Sequence, residues 1–295
     1  MHRTMLRKAQ QEQDASWNFN GSDVNRSALK PLCQRVESYF KLPSKRLYRY
    51  FAVKDDTYLA GVMGRHFRGF HIPLAGRNDL PDYLRDCFFV PFEKFDQSMT
   101  FEQMVAFDNL IYIRRETCSD TIGCVITYAH ELQHFTQHGY TPRLWAVNTA
   151  LYNDLGAFDA TAAPIDIPHE REANIIAKRV AEEILGVEAV RKYAEEQIKL
   201  MEAADEPAQA ARWKFFRDVP SFTKYDLLAA TVPFVEKYKG RIDFRVDVSH
   251  PGWWIGPLPN LDGAASLMKP NEQRRALIEE QCFRPEKTAG PRRQD

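Results

Sequence analysis

The sequence lacks paired cysteines. Its five cysteines are odd in number and scattered, and no two of them are spaced as C-x-x-C. The pattern therefore excludes a zinc cage built from such thiolate pairs and does not indicate a disulfide framework. Reduced thiols in a cytoplasm are the expectation.

A net charge is also lacking, because forty basic residues balance forty acidic residues. Without a surplus of positive charge, we expect no attraction to nucleic acid or to an anionic membrane surface. No run of apolar residues approaches the length that spans a bilayer. Residues 1–17 carry three basic side chains but no apolar stretch, so we expect no secretory signal and a cytoplasmic location.

The pattern of apolar residues changes once along the chain. Residues 46–115 contain short β-branched and aromatic runs, 119–238 have helical periodicity, and 239–284 are rich in loop residues. We therefore expect one α+β domain at 26–284, with a small mixed sheet packed on a mostly helical part. It would lie between a flexible segment at 1–25 and a disordered tail at 285–295. The predicted strands are Leu47–Val53, Gly69–Leu74, Cys87–Phe92, Asn109–Arg114 and Asp243–Val248.

Capping residues divide the helical part. A helix is expected from Ser119 or Asp120 to His138, with Gly139 at its end, and another from Pro168 to Leu185 ahead of Gly186. Between them, Leu144–Ala163 is expected to be looser. Further helices are predicted at Ser27–Leu42, Glu188–Ala204, Ala208–Phe216 and Ser221–Lys237.

The first of these helices carries the HExxH motif His130-Glu131-Leu132-Gln133-His134. Residues four apart lie on one helix face, about 6 Å apart along the axis, so both imidazoles can bind one tetrahedral Zn²⁺. Glu131 then lies beside the ion, where it can accept a proton from activated water. The surrounding apolar residues predict a buried helix, whose polar side chains need partners that a metal supplies. Gly123 and Thr127 share the histidine face and would leave room for a substrate.

The motif and its surroundings resemble the gluzincin branch of the zincin (HExxH) metallopeptidases, whose metal site is thermolysin-like. The likeness covers the HExxH helix, a preceding strand-rich segment and the later run Glu170-Arg171-Glu172-Ala173-Asn174. It implies that Glu170 is the third metal ligand and that Asn174 accepts a hydrogen bond from a ligand imidazole. It also implies that the strand at residues 108–114 forms the sheet edge that pairs with substrate; an interior strand followed by solvated arginines is the alternative.

Helical geometry favours Glu170 over Glu172 without the family. Along Pro168–Leu185 the apolar residues form one stripe, and Glu170 lies roughly 50° from its centre whereas Glu172 lies roughly 110° away. The two carboxylates point about 160° apart, so only one can face the metal. Glu170 is the predicted ligand, and Glu172 remains the alternative.

Other side chains have weaker patterns. Gluzincins use a downstream residue to stabilise the oxyanion, and His250 is the candidate here, with Tyr225 and Arg241 as alternatives. Trp253 and Trp254 are expected to line a subsite or to anchor a loop. His138 is expected to be a helix-end histidine favoured by the helix dipole.

The sequence therefore predicts a peptidase that binds one Zn²⁺ per chain and hydrolyses a polypeptide substrate with Glu131 as general base. One alternative is a zincin-fold binding or regulatory module that retains structural zinc without cleaving. Another is a helical scaffold in which the motif is accidental. The sequence leaves the oligomeric state open.

Overall fold

The computed structural model describes residues 17–19, 26–52, 68–74, 106–158 and 164–258. The strands in these ranges are β1 (Trp17–Phe19), β2 (Leu47–Phe51), β3 (Gly69–Pro73) and β4 (Asn109–Ile113). The helices are α1 (Arg26–Glu37), α2 (Arg115–Cys118), α3 (Thr121–Tyr140), α4 (Pro142–Phe158), α5 (Pro168–Leu185), α6 (Val187–Ala203), α7 (Pro207–Asp218) and α8 (Leu227–Tyr238), with a 3-10 turn at Pro164–Asp166. The predicted α+β class is confirmed. The predicted strand Cys87–Phe92 and the predicted tail at 285–295 lie outside the described residues.

The four strands form one mixed sheet in the order β1-β2-β4-β3. β1, β2 and β4 run parallel, whereas β3 runs antiparallel to β4. β1 is not among the predicted strands, because its three residues lie in the segment predicted to be flexible. Trp17 is buried there, its ring stacked on Phe51 and its face covered by the Arg49 guanidinium. Aromatic packing therefore orders residues 17–19, whereas residues 1–16 and 20–25 lie outside the described residues.

β3, rather than β4, is the outer strand on its side of the described sheet. β4 lies between β2 and β3, so the expectation that residues 108–114 form the edge is wrong. Backbone hydrogen bonds join residue 68 to 114 and residue 74 to 108. Because bonded residues alternate along an antiparallel ladder, the even-numbered residues of β3 bond to β4, and the peptide groups of Gly69 and His71 face outward.

α3 is the central helix, and it packs against α1, α4, α5, β3 and β4. Its N-terminus is capped as predicted, since the Asp120 carboxylate accepts a hydrogen bond from the Gly123 N–H at 3.1 Å. The helix runs past its predicted end to Tyr140. Gly139 does not terminate it; instead, the Pro43 ring occupies the place where a Cβ would stand. Glycine is needed here for close packing.

The stretch expected to be loose between α3 and α5 forms α4 as far as Phe158, and residues 159–163 lie outside the described residues. Its buried apolar side chains recur at helical spacing, and they belong to a second core cluster together with side chains of α8 and Ile167, which precedes α5. These residues are Leu144, Val147, Leu151 and Leu155. The polar residues that separate them weaken the helical signal, but burial of this stripe stabilises the helix.

The C-terminal part of the described chain departs from two predictions. α8 begins at Leu227 rather than Ser221, because the Asp226 carboxylate caps it by accepting from the Ala229 N–H at 3.0 Å. Residues 243–248 form bends and turns rather than a strand. Asp243 accepts from the Arg245 N–H at 3.0 Å, a local bond that favours a turn.

The main core lies between the sheet and the helices α1, α3, α5, α6 and α7. None of the helices in the described ranges combines the length and the apolar content that crossing a bilayer requires.

Candidate metal centre

Three side chains from two helices converge at one buried place. The Nε2 atoms of His130 and His134 on α3 are 3.0 Å apart. From the first turn of α5, one carboxylate oxygen of Glu170 lies 3.3 Å from His130 Nε2 and the other lies 3.1 Å from His134 Nε2. The structure thus brings together the three residues that the sequence predicts as ligands, a cluster that could hold a metal ion.

Small residues allow the two helices to approach closely enough for this contact. Ala173, Ala177 and Ala181 lie one turn apart on α5 and are fully buried against the core that contains α3. Pro168 occupies the first helical position as predicted, which places Glu170 in the first turn. The apolar stripe thereby orients the carboxylate toward α3.

The chemistry of the cluster fits a divalent cation such as zinc. Ligand atoms about 2.0–2.1 Å from a tetrahedral Zn²⁺ are about 3.3 Å from one another, close to the separations found here. Burial opposes a charged His134, but the Glu170 carboxylate outweighs it and raises the pKa of His134 to about 9. Burial lowers the pKa of His130 to about 4. Glu170 therefore stabilises a positive charge on His134. A metal ion that displaces the His134 proton would supply positive charge at the same position.

Glu131 lies beside the cluster and is buried. Burial raises the pKa of its carboxyl to about 7, while the charge of His134 and a hydrogen bond from the backbone N–H of His71 favour the charged form. A carboxyl with a pKa near 7 can both accept and return a proton near neutral pH.

Gln137 joins the cluster to α5, a role that the sequence interpretation missed. Its Oε1 lies 2.8 Å from His134 Nδ1, and its Nε2 donates to the His169 carbonyl at 3.1 Å and to Glu172 at 2.7 Å. Because His134 donates from Nδ1 to Gln137, its other ring nitrogen, Nε2, is directed toward the cluster. Glu172 therefore lies outside the cluster, as the helical geometry favoured. Gln137 is three residues beyond His134 on the same helix face, and this spacing was the available signal.

We expect Gln137→Met to lower zinc affinity about 10- to 100-fold, because His134 loses the partner that orients its ring. Gln133→Met is the matched control, since the Gln133 side chain donates to Glu172 at 3.0 Å but forms no hydrogen bond with either histidine of the cluster. Competition with a zinc-sensitive dye measures both affinities. Equal losses in the two variants would contradict the role given to Gln137.

Asn174 does not bond a ligand imidazole, so the role implied by the resemblance is wrong. Its Nδ2 donates to the Glu170 carbonyl at 2.7 Å, and its Oδ1 accepts from Arg212 Nε at 3.3 Å. His130 Nδ1 has no hydrogen-bond partner among the described residues. The physical reason is that Asn174 bonds back to its own helix and to α7.

A second group of buried polar side chains adjoins the site. The amide oxygen of Asn109 on β4 lies 2.9 Å from His71 Nε2 and 3.1 Å from His138 Nδ1. Burial lowers the pKa of His138 to about 3, so this histidine is neutral. The sequence predicted instead a helix-end histidine favoured by the helix dipole, which requires positive charge. Asn109 on β4 thereby links β3 to the last turns of α3.

Neutral burial of His138 predicts a pH-dependent stability. Its folded pKa lies below the unfolded value near 6.5, so at lower pH the unfolded chain binds a proton that the folded chain does not. The free energy of unfolding then decreases as the pH falls below about 6.5. We expect His138→Gln to remove about 1–2 kcal/mol of the difference between pH 7 and pH 5 in urea unfolding. The exposed His250, changed to Gln, is the control and should leave that difference unaltered; an identical difference in His138→Gln and the unmodified protein would refute the assignment.

The candidates for oxyanion stabilisation are not brought to the cluster. His250 lies in an exposed turn, Arg241 is exposed, and the half-buried Tyr225 lies close to the charges of Arg171 and Glu172. In the described part of the chain, no hydrogen bond or ion pair joins His250, Tyr225 or Arg241 to the cluster or to Glu131. The choice of His250 is therefore not supported by the fold.

The two tryptophans beside His250 have a structural place. Trp253 is buried in the second core cluster, and Trp254 packs edge-on against it. Of the two expectations, a loop anchor describes Trp253.

The space predicted beside Gly123 and Thr127 is filled. A Cβ at Gly123 would meet the Tyr193 hydroxyl at 2.5 Å and Arg68 at 2.7 Å, and one at Gly69 would meet Thr127 at 2.9 Å. Glycine at these positions allows β3 and α6 to approach α3. The histidine face at this end of α3 is thus packed by protein rather than open to a substrate.

His169 is a further neighbour that the sequence interpretation missed, although it precedes Glu170 directly. Its Nε2 lies 3.6 Å from a Glu170 oxygen, and its ring centre lies 5.0 Å from that of His134. Burial lowers its pKa to about 3, so the ring is neutral. His169 therefore shields one side of the cluster without adding charge.

A scan against protein-family models finds no matching family, and searches of curated proteins and of solved structures find no match.

Proposed function

We propose that this chain is a zincin-like, zinc-dependent peptidase that hydrolyses peptide bonds of a polypeptide substrate. The observation that carries the proposal is the convergence of His130, His134 and Glu170 beside the buried carboxyl of Glu131. Two imidazoles and one carboxylate are the donor set of catalytic zinc sites, which keep a further position open.

The ion, when bound, supplies Lewis-acid chemistry that lowers the pKa of water and polarises a carbonyl group. The chain supplies the proton transfers. Glu131 accepts the proton of the attacking water on a carboxylate oxygen and then donates it to the leaving amide nitrogen. Its raised pKa suits both steps.

The outer edge of β3 supports a polypeptide as the substrate. Gly69 and His71 direct their peptide groups outward from the described sheet. The groups of Gly69 and the His71 carbonyl can bond an extended chain as an added strand, while the His71 N–H serves Glu131. Backbone pairing would place a peptide bond of that strand near the cluster. The outer edge of β3 therefore supports a polypeptide as the substrate of the zinc site.

Metal analysis of the purified protein tests the proposal. We expect near-unit zinc per chain, loss of that zinc on dialysis against a chelator, and cleavage of a proteome-derived peptide library that stops and resumes with the metal. Protein that holds no zinc near unit stoichiometry after zinc supplementation would overturn the proposal.

A further inference from the structure

Arg212 places a guanidinium group next to the candidate metal centre, where the proposed proton transfers give it no task. It lies on α7, is half-buried, and donates from Nε to the Asn174 amide oxygen at 3.3 Å. Asn174 in turn donates to the Glu170 carbonyl at 2.7 Å. This chain of two bonds holds Arg212 against the helix that carries the glutamate of the cluster.

The charge of Arg212 acts on the site itself. Burial is the main influence on the pKa of His130 and of Glu131, but the nearby guanidinium charge contributes a lowering to both. The contact that places Arg212 is its bond to Asn174, one turn beyond Glu170 on α5, and its charge reaches His130 and Glu131 from there. A positive group in that place attracts an anionic part of whatever binds there.

No carboxylate in the described part of the chain forms an ion pair with Arg212. Its recorded partner is a neutral amide, which occupies one of five guanidinium N–H groups. Neighbouring arginines have other partners, since Arg217 pairs with Asp218, Arg179 donates to the Ser221 and Thr223 carbonyls, and Arg171 covers the Phe215 ring. The remaining N–H donors of Arg212 are thus not taken up by any residue that the structure describes.

The sum of the formal charges in the site also favours an anionic group of the substrate. A divalent ion is balanced by the carboxylates of Glu131 and Glu170, so Arg212 leaves one positive charge in the site. We propose that Arg212 binds a carboxylate of the substrate next to the cleaved bond, through the paired N–H groups that suit this anion. The inference rests on the proposed peptidase function and narrows its substrates to those with an acidic side chain or a free chain terminus at this position.

Binding of hydroxamates to the zinc-loaded protein tests the inference without turnover. Acetohydroxamate is the neutral probe. Two hydroxamate-capped dipeptides carry a carboxylate, one as a Glu side chain with an amidated terminus and the other as a free terminus after Gln. A third, with Gln and an amidated terminus, carries none. We expect one acidic dipeptide to bind about 10-fold or more tighter than the uncharged dipeptide, and that dipeptide identifies the source of the carboxylate.

The variants assign the preference to Arg212. In Arg212→Gln the preference should disappear while acetohydroxamate binds as before, and Arg212→Lys should retain part of it. Arg217→Gln on the same helix is the matched control and should keep the full preference. Equal binding of all three dipeptides, or an unchanged preference in Arg212→Gln, would overturn the inference alone. If the unmodified protein holds no zinc, or binds none of the hydroxamates, the proposed function is overturned and this inference with it.

Discussion

Glu131→Gln should leave zinc bound at near-unit stoichiometry and lower the rate of peptide cleavage by about 10²–10⁴-fold. Glutamine has nearly the same shape, so it fills the same buried place and can still meet the neighbouring groups. It cannot accept the proton of the attacking water, and general acid–base catalysis contributes a factor of this size. Metal content and kcat, measured on the same preparation, separate loss of the base from loss of the site.

Two comparisons make this result decisive. Glu188→Gln changes an exposed glutamate whose recorded ion pair is with Arg191 at the surface, and it should change neither quantity. Unchanged cleavage in Glu131→Gln would remove this residue from the mechanism. Cleavage that is absent from the unmodified, zinc-loaded protein on every substrate would instead favour a binding or regulatory module with structural zinc.

Replacing the third ligand is expected to have the other large effect. Glu170→Ala should lower zinc affinity by at least about 100-fold, more than the loss of an outer partner of a ligand usually costs. Two imidazoles then remain without the carboxylate that approaches both at 3.1–3.3 Å. Zinc titration followed by calorimetry measures the change, and the metal-dependent rise in melting temperature should shrink in parallel.

Glu172→Gln is the matched control for the third ligand. Glu172 lies two residues away on the same turn and accepts hydrogen bonds from Gln133 and Gln137. It acts on His134 only through Gln137, so its replacement should cost about 10-fold in zinc affinity at most. A larger loss in Glu172→Gln than in Glu170→Ala would reverse the assignment of the two glutamates.

The cluster could be predicted because each part of it depends on one helix. Residues four apart on α3 face the same way whatever the helix packs against, so His130 and His134 follow from spacing alone. The same geometry, applied to the apolar stripe of α5, separates Glu170 from Glu172. Pro168 and Gly186 mark the ends of that helix by local backbone preferences.

The side chains around the cluster could not be assigned in this way. Asn174 and Gln137 both carry an amide on a face directed toward the site, and the resemblance favoured Asn174. His134 and Gln137 lie three residues apart on α3, but contacts with His169 and Glu172 on α5 fix the Gln137 amide. Asn174 instead bonds Glu170 and Arg212. The sequence likewise has no signal that brings Arg212 of α7 or His71 of β3 to the metal centre.

The sequence alone therefore determined the α+β class, most helix boundaries, and the three side chains that meet on one buried place, since these follow from backbone preferences and periodicity within single elements. The tertiary structure decided which strand lies at the edge, which amide orients a ligand, and which arginine stands beside the base. Those outcomes depend on contacts between residues far apart in the chain, and such contacts are set by how whole elements pack rather than by any local pattern.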